Sequence, residues 1–275
     1  MKRFALLLNI LIFFAFSSLA ALGQSTGTED VLNNLFKRIL STRDDDERIR
    51  LNDSLVLVID QYAGSGDIFT HRFENLRYLG QILSSDSRIK ILTWNLILTD
   101  GTNRYFCYLI RNRGKDSGNK IIKLTGVNMD DAPRIDLTYA EGNWYGALYY
   151  GIQPFRSGKE TCYAVLGLDF ANLQVSRKII DIMSFSDEGE LTLGKSCFRK
   201  GDQIVLREVF EYQADGVMTL RFNDKKTIIF DNLAPISTGE KYDQGYYGTE
   251  FSFNAYVLKK GLWNFVKNYK VRIRK

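Results

Sequence analysis

Ile204-Val-Leu-Arg-Glu-Val-Phe-Glu-Tyr212, Val217-Met-Thr-Leu-Arg-Phe222 and Thr227-Ile-Ile-Phe-Asp231 decide how this chain folds. Each is a short run rich in β-branched or aromatic residues with period-two alternation. Gln213-Ala-Asp-Gly216 and Asn223-Asp-Lys-Lys226 separate them with turn formers. The pattern predicts three consecutive strands. Alternation puts Met218, Leu220 and Phe222 on one face of the second strand, and Ile204, Leu206, Phe210 and Tyr212 on one face of the first. Direct pairing that keeps both apolar sets together places Tyr212 opposite Met218, Phe210 opposite Leu220 and Glu208 opposite Phe222. The same logic places Leu220 opposite Phe230. The expectation is an antiparallel meander with one apolar face, since a slip of one residue would bring Arg221 opposite Phe210.

Glu208 interrupts the apolar face. On a core-facing position a carboxylate loses water and its pKa rises, and perturbed carboxylates are enriched at functional sites. A position at the sheet rim, or an ion pair with a neighbouring arginine, is the competing structural expectation.

The rest of the chain repeats the strand pattern. Arg88 to Leu98, Tyr105 to Arg111 and Lys120 to Leu124 read as strands, with a turn at Thr99-Asp-Gly-Thr-Asn103. Asn143 to Ile152 and Cys162 to Phe170 read as a hairpin around Arg156-Ser-Gly-Lys159, followed by Ser176 to Phe185 and Gly189 to Phe198. Before them, Leu32, Leu35, Phe36 and Ile39 fall on one helical stripe. Asp44-Asp-Asp-Glu47 suits the start of a second helix, where acidic side chains meet the positive end of the helix dipole. Leu51, Leu55, Val58 and Tyr62 continue a helical stripe, although Leu55-Val-Leu-Val-Ile59 also reads as a strand. The fold class expected is mainly β: antiparallel sheets in a sandwich-like or large bent arrangement, or a small propeller, with a short helical N-terminal cap. The expected organisation is a signal peptide over 1–23, a helical region over 24–68 and a β domain over 69–275.

The N-terminus carries the most specific signal. Lys2 and Arg3 precede an apolar run from Phe4 to Phe16, and Ser17-Ser-Leu-Ala-Ala-Leu-Gly23 supplies small residues, the pattern of an export signal. Cleavage is expected after Ala21-Leu-Gly23, with Ser18-Leu-Ala20 as the other site; an uncleaved anchor is the alternative. Removing Lys2 and Arg3 from the 37 basic residues leaves 35 against 32 acidic, a net +3. That balance argues against nucleic acid as a partner, and the basic Lys270, Arg272, Arg274 and Lys275 read as a solvated tail. No second hydrophobic span follows. The three cysteines, 107, 162 and 197, lack zinc-ligand spacing, and Cys107 and Cys162 sit in apolar strands as small buried residues.

Ser85-Asp-Ser-Arg-Ile-Lys-Ile-Leu-Thr-Trp-Asn-Leu96, Lys178-Ile-Ile-Asp-Ile-Met183, Met218-Thr-Leu-Arg-Phe-Asn-Asp224 and Phe230-Asp-Asn-Leu-Ala-Pro235 resemble segments of uncharacterised exported β-rich bacterial proteins. The resemblance covers most of the chain after about Phe69. It implies export and a β fold, and brings no assigned chemistry.

Few residues offer chemistry. His71 is the single histidine. No nucleophile motif accompanies it, so a structural role is expected. Neither a Gly-x-Ser-x-Gly nor a His-Glu-x-x-His motif occurs, nor a phosphate-binding glycine loop. Carboxylate pairs remain, and these suffice for glycoside hydrolysis. Glu208 is the candidate acid and Asp231 its catalytic partner, with Asp169 and Glu211 also considered. The candidate ligand-binding residues are tyrosines able to stack on sugars: Tyr242, Tyr246 and Tyr247 in a glycine- and aromatic-rich segment, and Tyr149 and Tyr150. Packing of these aromatics onto the sheet is the competing expectation. Asn128-Met-Asp-Asp131 lacks the full calcium-loop spacing. No metal or cofactor is expected. The function expected is that of an exported protein, periplasmic or secreted, with a binding or scaffolding role in the cell envelope and a glycan or envelope protein as partner. The alternative is a carbohydrate-active hydrolase.

Overall fold

The computed structural model describes residues 27–114, 118–127, 131–235 and 247–271. Residues 1–23, where an export signal is expected, Tyr242, Tyr246, residues 128–130 of the calcium-like stretch and Arg272, Arg274 and Lys275 lie outside the described residues. The chain divides into two compact units between Tyr78 and Leu79.

The first unit is helical. Helix α1 spans 27–41 and buries Leu32, Phe36 and Ile39. Helix α2, Asp45–Ala63, is capped by Asp44, whose carboxylate accepts from the amides of Asp46 and Glu47. The cap satisfies amides that the first turn leaves unpaired. Leu55-Val-Leu-Val-Ile59 is therefore helix; Leu51, Leu55, Ile59 and Tyr62 make its buried stripe. His71 packs within the helical unit. Its Nδ1 lies 3.1 Å from the Tyr62 hydroxyl, and its ring meets Tyr62 and Phe73 edge-on.

The second unit contains three open sheets. β1 (Gly80–Leu83), β2 (Ile89–Ile97), β3 (Asn103–Asn112) and β4 (Asn119–Val127) form the first as an antiparallel meander. β5 (Leu148–Ser157), β6 (Glu160–Asp169), β7 (Val175–Phe185) and β11 (Arg207–Gln213) form the second, with the short β8 (Leu191–Leu193) paired to β7. β9 (Phe198–Lys200), β10 (Gln203–Val205), β12 (Leu220–Asp224), β13 (Thr227–Pro235), β14 (Tyr247–Lys259) and β15 (Leu262–Val266) form the third. Among the described residues all strand pairs are antiparallel except β15 with β9.

The sheets stack in three layers. Ile89, Ile91, Tyr105, Cys107 and Leu109 of the first sheet pack against Tyr163, Val165, Ile179 and Met183 of the second. From the opposite face of the same strands, Cys162, Ala164, Leu166, Ile180 and Ile182 pack against Phe198, Leu220, Ile228, Phe230, Tyr256 and Trp263 of the third. The second sheet is thus the middle layer. Burial on both faces explains why Tyr163-Ala-Val-Leu166 and Ile179-Ile-Asp-Ile-Met183 are nearly continuous apolar runs, whereas one-sided strands alternate. Burying each large aliphatic side chain is worth roughly 1.5–3 kcal/mol.

The meander expected over 204–231 is only partly formed. β12 and β13 pair with Leu220 opposite Phe230, as the alternation requires. The turn is fixed by Asp224, which accepts from the Lys226 amide at 2.8 Å. The register of Tyr212 with Met218 and Phe210 with Leu220 is corrected: Tyr212 lies opposite Ser176 and Phe210 opposite Lys178, on β7. Ile204 belongs to β10, in a different sheet. After β11 the chain turns at Gln213–Gly216 and crosses from the middle layer to the third. Tyr212, Met218, Leu220 and Phe230 still share one core. Their apolar faces meet across two layers instead of side by side, an outcome that alternation alone does not distinguish.

The face between the first and middle sheets holds buried charge. Arg207 and Asp181, both fully buried, are cross-strand neighbours with Nε 2.9 Å from Oδ2. The Arg207 guanidinium also donates to the carbonyls of Arg134, Leu137 and Leu193 and lies 4.6 Å from the Tyr139 ring centre. Tyr145 donates to Asp181 at 3.0 Å, so Tyr149 must donate in turn to Tyr145, and Trp144 donates to Tyr149. Burial pushes the Asp181 pKa up; Arg207, the Ile182 amide and Tyr145 oppose it. In a second cluster Arg177 bridges Asp169 at 3.3 Å and Glu211 at 2.7 Å across β6, β7 and β11. The indole Nε1 of Trp263 is buried and has no hydrogen-bond partner among the described residues; nothing in the structure explains it.

Candidate functional site

Glu208 leads to the site. On β11, Arg207, Val209 and Glu211 point towards the first sheet, so alternation turns Glu208, Phe210 and Tyr212 towards the third. Across that gap Tyr256 of β14 donates its hydroxyl to Glu208 Oε1. Burial pushes the Glu208 pKa up, opposed by the Tyr256 hydrogen bond and the nearby Lys200 ammonium. Glu208 thus lies on the edge strand of the middle sheet, half-buried, and makes no arginine pair among the described residues.

Beside it is a cavity of about 350 Å³, lined by Glu208 and Phe210 from β11 and Asp231 and Asn232 from β13. Asn254 and Tyr256 of β14, Phe265 of β15 and the lysines Lys200 and Lys267 complete the lining. Neighbouring residues of a regular strand face opposite ways, yet Phe230, Asp231 and Asn232 all reach this space. At this point the β13–β14 ladder shifts register: Asp231 pairs with Phe253 and Asn232 with Glu250, so β14 carries two extra residues. Such a bulge disrupts the ladder and increases its twist locally. Asp231 Oδ2 accepts the Thr219 amide at 2.7 Å, and Asn254 Nδ2 donates to Asn232 Oδ1 at 3.1 Å. The aromatic wall is continuous: Phe210 to Phe230 at 4.7 Å, Phe230 to Tyr256 at 5.7 Å and Tyr256 to Phe265 at 5.8 Å between ring centres. Lys200 lies over Phe265 at 5.0 Å.

The two carboxylates proposed as catalytic, Glu208 and Asp231, therefore share one cavity. Asp169 and Glu211 do not: they face the first sheet and pair with Arg177. Tyr149 is 1% exposed and uses its hydroxyl inside the Trp144–Tyr145 network, which leaves it no outward surface for a ligand. Tyr150 is 39% exposed but donates its hydroxyl to the Leu220 carbonyl, and Lys178 lies 5.6 Å from its ring centre. Tyr247 begins β14 opposite Pro235. Lys178, beside the cavity, has its pKa lowered by burial, with Asp231 opposing.

Asn232, Asn254, Tyr256 and Phe265 were missed from sequence. They come from three strands, and no local pattern announces that β14 and β15 return to the Glu208 face. The signal available was the alternation in Phe253-Asn-Ala-Tyr-Val-Leu258, which places Asn254 and Tyr256 on one side. Among the described residues no cluster of His, Cys, Asp or Glu is arranged to hold a metal ion. The three cysteines are free and buried. Burial raises the Cys162 thiol to about 11 and also raises Cys197, which keeps both protonated and unreactive. No helix among the described residues is long and apolar enough to cross a membrane. In comparisons with protein-family models, curated proteins and solved structures, the chain matches none.

Proposed function

We propose that this chain is an exported binding protein of the cell envelope, and that the cavity between the middle and third sheets holds a neutral, hydroxylated ligand such as a sugar. The supporting observation is the convergence in one cavity of two carboxylates, the Asn232 and Asn254 amides and the Phe210 ring. Aromatic faces take the apolar side of a sugar ring, while amides and carboxylates bond its hydroxyls. The volume suits one or two rings and sits at the small end of ligand sites. Export rests on the Lys2-Arg3 and Phe4–Phe16 pattern.

A binding role is favoured over catalysis because each carboxylate has one oxygen committed within the fold, Glu208 to Tyr256 and Asp231 to the Thr219 amide. Hydrolysis is the second reading. Its support is that Glu208, held towards its protonated form by burial, shares the cavity with Asp231. One carboxylic acid and one carboxylate are the requirement for cleaving a glycosidic bond. A thermal-shift screen of the chain against soluble oligosaccharides, followed by product analysis, separates the two. A ligand raises the melting temperature by binding the folded state. Glu208→Gln, nearly isosteric, should keep that shift; loss of product with binding retained would favour the hydrolase, and no product from the wild type would favour the binder.

A further inference from the structure

A second cleft, of about 970 Å³, opens at one end of the first and middle sheets. Four connections meet there: the β1–β2 turn, the end of β3, the β5–β6 hairpin and the end of β7. They bring Arg88, Arg111, Arg113, Arg156 and Lys159 together from separated parts of the chain, against three carboxylates, Asp86, Glu160 and Asp187. Two of those carboxylates are already engaged. Asp86 accepts from the Ser84 hydroxyl, the Arg88 amide and the Tyr163 hydroxyl, and Glu160 pairs with Lys195 just outside the lining. Among the described residues, the side chains of Arg88, Arg111, Arg113 and Lys159 make no ion pair with a carboxylate. Holding like charges together is unfavourable without a counter-charge.

The cleft is also organised. The Arg111 guanidinium lies 4.5 Å from the Phe185 ring centre, a contact that favours the cation. Arg156 is held by the Thr161 hydroxyl at 2.8 Å. An arginine fork matches a carboxylate, sulfate or phosphate with two parallel hydrogen bonds. Several forks around a volume this large suit a ligand with several anionic groups, and Ser87, Asn112 and Ser186 supply partners for hydroxyls between them. A base-stacking platform is missing, because Phe185 is covered by Arg111 and Tyr163 is tied to Asp86. No exposed large apolar side chain lines the cleft to enter a lipid surface.

We propose that this cleft binds an acidic oligosaccharide through carboxylate or sulfate groups. The site is separate from the Glu208 cavity and does not depend on that reading. The test is calorimetric titration of the full chain with four probes: a sulfated hexasaccharide, a hexameric uronate, neutral maltohexaose and a single-stranded oligonucleotide of matched charge. Arg113→Glu/Lys159→Glu is compared with Lys225→Glu/Lys226→Glu, an equal charge change on the exposed β12–β13 turn. The expected result is binding of one or both acidic sugars and not of maltohexaose, with at least about tenfold weaker binding in the cleft variant and little change in the turn variant. The preferred acidic probe tells sulfate from carboxylate. Absence of binding to both acidic sugars, equal or tighter binding of the oligonucleotide, or equal loss in both double variants would overturn the proposal. The probe panel on the wild-type chain decides it even where the cleft variant fails to fold. Glu208→Gln should leave this affinity unchanged.

Discussion

Glu208 shows how a single residue reports its surroundings. A carboxyl whose folded pKa is raised binds its proton more tightly in the folded state. Its favourable effect on stability is complete below the unfolded value, near 4.5, and is lost as pH rises towards the folded value. Melting temperatures of wild type and Glu208→Gln should therefore coincide below about pH 4 and separate above it, with the variant the more stable. A variant less stable at neutral pH would mean that the carboxylate is ionised and held by Lys200. The Arg207–Asp181 pair behaves differently. Arg207→Met should cost about 3–5 kcal/mol in urea denaturation, since it leaves Asp181 buried without its cation, and adding Asp181→Leu should recover most of the loss. Equal stability of the single and double variants would show that the pair carries no such coupling. Glu208 was legible in the sequence because it broke an apolar alternation. Its partner Tyr256 was not, because nothing local ties two residues that far apart.

At the scale of elements, the β12–β13 hairpin could be read because turn chemistry and alternation lie within a dozen residues. The placement of β11 beside β7 could not, since the same apolar face satisfies either a lateral neighbour or a facing layer. The β14 bulge opposite Asp231 and Asn232 was equally hidden. The connection before β5 illustrates what close approach demands. Gly146 has φ +82°, and a Cβ there would meet the Tyr105 ring at 2.6 Å, while a Cβ on Gly126 of β4 would meet the Gly146 backbone at 2.8 Å. Gly126→Ala should destabilise the chain by about 1–3 kcal/mol through overpacking against backbone that has nowhere to move. Chemical denaturation measures it, and an unchanged midpoint would contradict this close contact.

For the whole molecule, the middle sheet is the organising feature of the β unit. Its two central strands are covered on both faces, so amide exchange should be slowest in β6 and β7 and fast in the short outer strands β1 and β10. Comparable protection in β1 and β6 would be incompatible with three layers. That layering makes two interlayer spaces: one rich in buried ion pairs and opening at the arginine cleft, the other aromatic and opening at Glu208. The mainly β, antiparallel character was legible from strand and turn spacing; the layer order was not, because it depends on contacts far apart in sequence. The central claim is that the aromatic space receives a hydroxylated ligand. The most direct measurement is the melting temperature of wild type and Asn232→Ala across a panel of neutral oligosaccharides, with Asn232 chosen because its side chain lines the cavity. The expected result is a concentration-dependent rise with at least one sugar for the wild type and a smaller rise for the variant. No rise with any sugar, or an identical rise in both chains, would contradict the account.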